Sequence, residues 1–526
     1  MRSVQLFGSV SSSAILGLLT LMGGAREARA TGFEIPENGT EIMGRAGAWT
    51  ARADNPMAAA LNPAGLAGQG TAFLVNTNLT WQKYCFARAG TYSTDASNAG
   101  TIFQGNSYGG QAYPEVCKKN GVGDVNIVPQ LAFNYAVSDK LGVAFAIVTP
   151  SSAGKAEWPE QVTTASGDTA PSPQRYLLLK QNGVVISPTL AAGYEVAKGL
   201  RFGAAFQATM AFLEFENMSH ANSTSASDAA EGPDSDLKAK LKIKKLFTPG
   251  FILGALITPM DDFDIGAMFH WSADITAKTG DVTVVGPAYS NATSGPKAPA
   301  TTNAKVGEFR LPAPWEARIG FRYHPMRAGG KVVPSGKRRD FLASDAWDIE
   351  LDLTYSHNKA VDQLTLLFPA GQHIALGGNT LAGFIPEDAS VPHKWKDNVG
   401  LRLGGEWAAM PDKLGIRAGA FYQTSAVDPQ YVGIDFLPSS MFGLYLGATL
   451  RLSKLVDLSA GFGHIFVTPV DNHGDGLVRG LDAQPDWSAT ACPNPGSTPY
   501  RTCNPANGGK ATQGYNMGSL GATFHL

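Results

Sequence analysis

Past residue 70 the chain alternates apolar and polar residues with a period of two, the mark of strands whose two faces meet different surroundings. Over 313–324, Trp315, Ala317, Ile319, Phe321 and Tyr323 share one face, and Glu316, Arg318, Gly320, Arg322 and His324 share the other. Trp347, Ile349, Leu351, Leu353 and Tyr355 oppose Asp348, Glu350, Asp352, Thr354 and Ser356 in the same way. The pattern predicts fourteen strands. Seven lie at 71–83, 126–137, 141–149, 176–196, 200–216, 236–257 and 263–277. The other seven lie at 303–324, 346–359, 396–408, 414–424, 441–452, 455–468 and 513–526. Connections alternate between short turns, such as 138–140, 197–199 and 409–413, and long polar segments, such as 84–125, 360–395 and 469–512. Only 325–345 is long where a short turn is due.

An even number of two-faced strands, with short turns at one end and long loops at the other, predicts an all-β fold. It is a 14-stranded antiparallel transmembrane β-barrel. Lipid cannot hydrogen-bond a sheet edge, so a sheet in a bilayer must close on itself. A secreted sandwich also alternates, but it rarely needs fourteen long strands, and no propeller repeat is visible. Tyr135, Tyr194, Tyr323, Trp347, Trp407 and Phe524 stand where strands should meet the periplasmic interface.

Composition changes this picture little. Charged residues are 16% and the formal net charge is −2, so nothing suggests a nucleic-acid partner. Glycine, at 60 residues, is abundant. Mean hydropathy is only −0.07, because a barrel shows lipid on every second residue alone. Arg2, the apolar run Ala14–Met22 and Ala28-Arg29-Ala30 read as a signal peptide over residues 1–30, cleaved near Ala30. The expected destination is the bacterial outer membrane. Four cysteines in an exported chain favour disulfides, and local pairing would join Cys85 with Cys117 and Cys492 with Cys503.

Residues 31–70 lack the two-residue period and contain Met43-Gly44-Arg45-Ala46-Gly47 and Asn62-Pro63-Ala64-Gly65-Leu66. This stretch resembles the N-terminal hatch of the FadL family, the fatty acid and toluene transporters of Gram-negative outer membranes. Leu311-Pro312-Ala313-Pro314-Trp315 and Gly405-Glu406-Trp407 are later echoes. The resemblance implies a monomeric barrel over 71–526 plugged by residues 31–70, with Gly44, Arg45, Asn62, Pro63 and Ala64 in the hatch. It also implies capture of hydrophobic molecules outside and lateral exit through a gap beside the third strand. Here that strand is the shortest, so Thr149, Pro150 and Ser151 mark either the gate or an ordinary strand end. The expected partners are a hydrophobic ligand, outer membrane lipid, lipopolysaccharide and the barrel assembly machinery. The chain ends Phe524-His525-Leu526, without the terminal aromatic that assists assembly in most such barrels.

Inward charges set the remaining expectations. Arg318, Arg322, Arg402 and Arg417 face Asp348, Glu350, Asp352 and Glu406 on neighbouring strands. They form either a structural network that pins the hatch or a set with one arginine left to hold a carboxylate. Lys238, Lys240, Lys242 and Lys244 share one face; inward they would attract anionic ligands, and outward they would meet lipopolysaccharide phosphates or merely hydrate the rim. The basic run Lys337-Arg338-Arg339 reads as a solvated loop. Asp471 and Asp475 weakly suggest a calcium loop against a plain turn. No catalytic motif or cofactor site is present, which points away from an enzyme. Long-chain fatty acids lead as substrate, with aromatic or aliphatic hydrocarbons next and a structural or receptor barrel last.

Overall fold

The computed structural model describes residues 38–94, 98, 101–120, 125–149, 155–220, 231–233, 236–285, 301–302, 305–332, 337–376, 380–384, 387–478 and 505–526. Residues 1–30, expected to be a signal peptide, and residues 31–37, Pro150, Ser151, Cys492 and Cys503 lie outside the described residues.

Fourteen antiparallel strands form the wall. They are β1 (Ala72–Arg88), β2 (Asn126–Ala136), β3 (Leu141–Val148), β4 (Lys180–Ala197), β5 (Leu200–His220), β6 (Asp236–Met260) and β7 (Phe263–Ser272). The circuit continues through β8 (Glu316–Tyr323), β9 (Trp347–Ser356), β10 (Asn398–Met410), β11 (Leu414–Gln423), β12 (Met441–Ser453), β13 (Val456–Val467) and β14 (Gly509–His525). The last strand pairs with the first from Ala72↔His525 to Arg88↔Gly509, so the sheet closes and leaves lipid no edge there. The outward rows are the exposed apolar ones, among them Leu190, Phe206, Leu403, Phe462 and Leu520.

Two predicted strands are shorter than the alternation suggested. The stretch 303–324 divides: Glu308–Leu311 leaves the wall and joins a small outer sheet with Ile275–Ala277, Gln363–Leu367 and Val391–Pro392, and the barrel strand starts at Glu316. Pro312 and Pro314, which have no N–H to give a ladder, separate the two pieces. Similarly, 263–277 leaves the wall after Ser272. By contrast, β5 and β6 run 21 and 25 residues, far beyond the 9–11 that a membrane crossing takes. Their hairpin therefore projects outward, with a register shift between Lys245 and Thr248.

The short turns define the periplasmic end. Residues 325–332 and 337–345 lie at that end, and the second stretch contains a one-turn helix, Phe341–Ser344, capped by the Asp340 carboxylate. Residues 38–70 lie inside the barrel as a chain of short turns: a helix at Thr40–Met43 and 3₁₀ turns at Pro56–Ala60 and Pro63–Leu66. Asn55 and Asn62 cap the 3₁₀ turns, each followed by the proline that suits a first helical position.

Candidate functional site

The wall receives the inner segment along rows of glycine. Gly142, Gly193, Gly203 and Gly254 stand side by side on β3 to β6, paired in register. A Cβ on Gly203 would lie 2.2 Å from Pro63 carbon, and one on Gly193 would lie 2.4 Å from Pro63 oxygen. A Cβ on Gly254 would lie 2.1 Å from Asn62 Oδ1, and one on Gly142 would lie 2.2 Å from Leu66 oxygen. The backbone of Asn62-Pro63-Ala64-Gly65-Leu66 thus rests directly on strand backbone. Asn62 Nδ2 completes the seat by donating to Thr50 oxygen (2.7 Å) and to Ala255 oxygen on β6 (3.2 Å). On the opposite wall, a Cβ on Gly419 would lie 2.3 Å from Arg45 carbon, and Gly44 approaches Gly447 and Arg417.

Charge organises the other half of the seat. Arg45, fully buried, pairs with Asp348 and with Glu350 (3.4 Å). Arg52 bridges Asp348 (3.2 Å) and Glu406 (2.6 Å). Carboxylates of β9 also accept from backbone: Asp352 Oδ2 takes Trp49 N and Thr50 N (3.1 Å each) and the Thr50 hydroxyl (2.6 Å), and Glu350 Oε1 takes Ala51 N (2.7 Å). These acids satisfy donors that short turns leave without a ladder.

The four arginines named from sequence all face inward. Arg322 binds Asp348 (2.9 Å), Arg402 donates to Ala46 oxygen (2.9 Å), Arg417 chelates Glu406 (3.1 and 3.0 Å), and Arg318 pairs with Glu316. Lys240 and Lys242 stand instead on the outer face of the β5–β6 hairpin, in register with Glu216 and Glu214. Lys240 reaches Glu216 at 2.7 Å and Glu214 at 2.8 Å. The inward positions there belong to Leu241 and Ile243, which pack with apolar neighbours, so neither lysine reaches the lumen.

The wall thins beside β3. Its pairing with β2 covers Leu131–Ala136 and its pairing with β4 covers Ser187–Tyr194. Among the described residues, Asn126–Gln130 of β2 and Asn182–Ile186 of β4 have no ladder partner on that side. Five residues at about 3.3 Å each make an interruption of about 16 Å along the strands. Thr149 stands at its lower margin, and Pro129 lies within it, where a missing donor is tolerated. Behind it, Ala144, Ala146 and Val148 of β3 pack against Met57, Ala58 and Ala59 of the inner segment.

At the extracellular mouth, Cys85 and Cys117 form a disulfide. One residue on, half-buried Lys118 turns into the lumen, where its ammonium meets Gln82 and lies 5.9 Å from the Tyr84 ring. Gln82 also donates to the Tyr515 hydroxyl (2.9 Å), and Tyr515 opens an apolar column of Tyr445, Ile465, Met517 and Phe421 that reaches Met43 and Ala46 below. Lys118 sits in a long polar loop, and nothing in the sequence beyond the neighbouring Cys117 singles it out. Asp471 accepts from His473 N (2.8 Å) in a local turn. Among the described residues, the one three-ligand group close enough for a metal is Cys85, Glu115 and Cys117, two of which are spent in the disulfide.

The basic run at 337–339 is not the solvated loop expected. Lys337 is exposed, but Arg338 and Arg339 are only 8% and 12% exposed. Arg338 enters the floor of the inner segment, and Arg339 binds Asp262 (2.9 Å) and Asp345 (3.1 Å). A polar cavity of about 270 Å³ lies there, lined by Glu41, Arg52, Asp54, Arg338, Arg451 and Asp457 among others.

Solved structures share the fold. A Pseudomonas aeruginosa FadL homologue aligns at TM-score 0.63 and 17% identity, covering 94% of this chain and all of that one. The Pseudomonas putida toluene transporter TodX aligns at 0.56 and 12%, covering 94% and 99%. The Ralstonia pickettii toluene transporter TbuX aligns at 0.51 and 13%, covering 93% and 99%. No curated protein matches the sequence. Residues 21–328 match the family described as outer membrane protein transport protein (OMPP1/FadL/TodX). With more than half its length matched, the chain belongs to that family of outer membrane β-barrels, which are transport channels for hydrophobic substrates and not enzymes.

Proposed function

We propose that the protein takes up long-chain fatty acids from outside and releases them sideways into the outer membrane, with the inner segment serving as its hatch. The observation that carries the fatty acid reading is Lys118. This reading takes the ammonium, which already meets Gln82, as a charge-assisted partner for a carboxylate, with the acyl chain against the neighbouring apolar column. Lateral exit is supported by the interruption beside β3, with Thr149 at its margin, and this reading takes Thr149, Pro150 and Ser151 as the gate. An apolar ligand that leaves there enters lipid without crossing water.

A neutral hydrocarbon is the second reading. It is favoured by the deep arginines, since Arg322, Arg402 and Arg417 already hold carboxylates or hatch carbonyls. Liposomes carrying the purified protein separate the two. Oleate uptake should exceed toluene uptake, and Lys118→Met should lower oleate uptake about tenfold while sparing toluene, the effect of one charged hydrogen bond. Oleate uptake unchanged in Lys118→Met would remove the fatty acid reading. Thr149→Trp should slow both ligands; undiminished flux would count against the gate.

A further inference from the structure

We infer that residues 337–345 are a periplasmic latch, and that Arg338 is the positioning residue by which it holds the hatch shut from below. The segment is fastened at both sides of the periplasmic mouth. Arg339 ties it to Asp262 in the β6–β7 turn and to His324 oxygen at the end of β8 (2.7 Å). On the far side, Asp340 receives Arg451 of β12 (2.7 Å), and Leu342 oxygen receives Asp412 N from the β10–β11 turn (2.8 Å). A strap so anchored crosses beneath the hatch instead of hanging into the periplasm.

Its grip on the hatch is specific. The Arg338 guanidinium donates to Ala53 oxygen (2.8 Å) and to Arg52 oxygen, with longer contacts to Gly65 oxygen (3.4 Å) and Ala51 oxygen (3.5 Å). Its backbone N donates to Gly68 oxygen (3.0 Å). One planar fork therefore joins two turns of the hatch, 51–53 and 65–68, that share no ladder of their own. Gln69 bridges the same two turns, to Ala53 oxygen (2.9 Å) and Gly65 oxygen (2.7 Å), so the site is built from both sides. Ala53 holds φ +29°, a conformation that side chains rarely adopt and that persists where the surroundings impose it. Phe341 completes the clamp, its ring 4.7 Å from the Arg52 guanidinium. A hatch movement that parts these turns must first displace Arg338.

The inference does not depend on which ligand is carried. Its test uses the full chain in planar bilayers, with Ala67→Cys, a buried hatch position, as a maleimide reporter from the periplasmic side. Arg338→Met should raise the labelling rate of this reporter thiol at least about tenfold and raise the frequency of conducting events, and Arg338→Lys should fall between. Lys337→Met, on the exposed neighbour, should change neither. Heat-modifiable migration reports barrel folding. If Arg338→Met does not fold, Asp340→Ala removes the Arg451 anchor without touching the hatch and should move both readouts in the same direction. Wild-type labelling and conductance in a folded Arg338→Met, or in Asp340→Ala where that is the variant used, would overturn the latch.

Discussion

Asp352 of β9 is the sharpest place to loosen the inner segment without touching a ligand path. One carboxylate oxygen accepts from Trp49 N, Thr50 N and Thr50 Oγ1, and the side chain is fully buried. In Asp352→Ala the hydroxyl can turn elsewhere, but two buried amides lose their acceptor. At roughly 1–3 kcal/mol for each unsatisfied donor, docking of this turn weakens by roughly 2–6 kcal/mol. With about 1.4 kcal/mol to each factor of ten, protection of those amides should fall by at least about 30-fold. Asp352→Asn keeps an oxygen in place and loses only the charge, so it should lose roughly 1–2 kcal/mol. Hydrogen exchange followed by mass spectrometry of the peptide spanning residues 45–55 measures both. If Trp49 and Thr50 keep wild-type protection in a folded Asp352→Ala barrel, the carboxylate does not hold the turn and the reasoning is wrong.

Gly203→Ala should destabilise the protein by about 1–3 kcal/mol, because its methyl group meets Pro63 backbone; Gly70→Ala, with open space around it, should not. Thermal loss of heat-modifiable migration compares them. Reducing Cys85–Cys117, 32 residues apart, should release about 3–4 kcal/mol of loop restraint, read as faster proteolysis between residues 89 and 116 with the barrel intact. His393, in an extracellular loop, is buried, which opposes its charge, yet Asp435 at 3.0 Å prevails and raises its pKa. A raised histidine stabilises fully below its unfolded value near 6.5, and the benefit fades as pH climbs through the folded value. Loops 357–397 and 425–440 should therefore resist protease better at pH 5.5 than at about 8.5, and His393→Gln should erase the difference.

The wall was legible because lipid enforces a two-residue period, and the inward charges followed from the same parity. Where proline or a long-range pairing intervened, parity misled. Glu308–Leu311 alternates like a barrel strand, but its partners are Ile275–Ala277 and Gln363–Leu367, fixed by distant loops. The inner segment was recognisable by motif, whereas its contacts were not, since they depend on register between strands far apart in sequence. Asp352 read as one inward acid among three, and nothing local shows that it faces two amides. Arg338 was misread for a related reason: a run of three cations in a long connection has the composition of a solvated loop. Only the carbonyls of the inner segment above it, contributed by residues some 270–290 positions away, make it a buried group.

The rows of glycine also constrain motion. Clearance between wall and inner segment is less than a methyl group along β3 to β6, so the segment cannot slide as a piston. Two residues along β5 from Gly203, the inward places are held by Arg201 and Ala205, and a translation of about 7 Å would drive Pro63 into one of them. Opening must come from turns refolding in place. The same fit orders assembly: a seat this narrow is more readily formed by strands closing around a segment already inside than by threading that segment into a finished barrel.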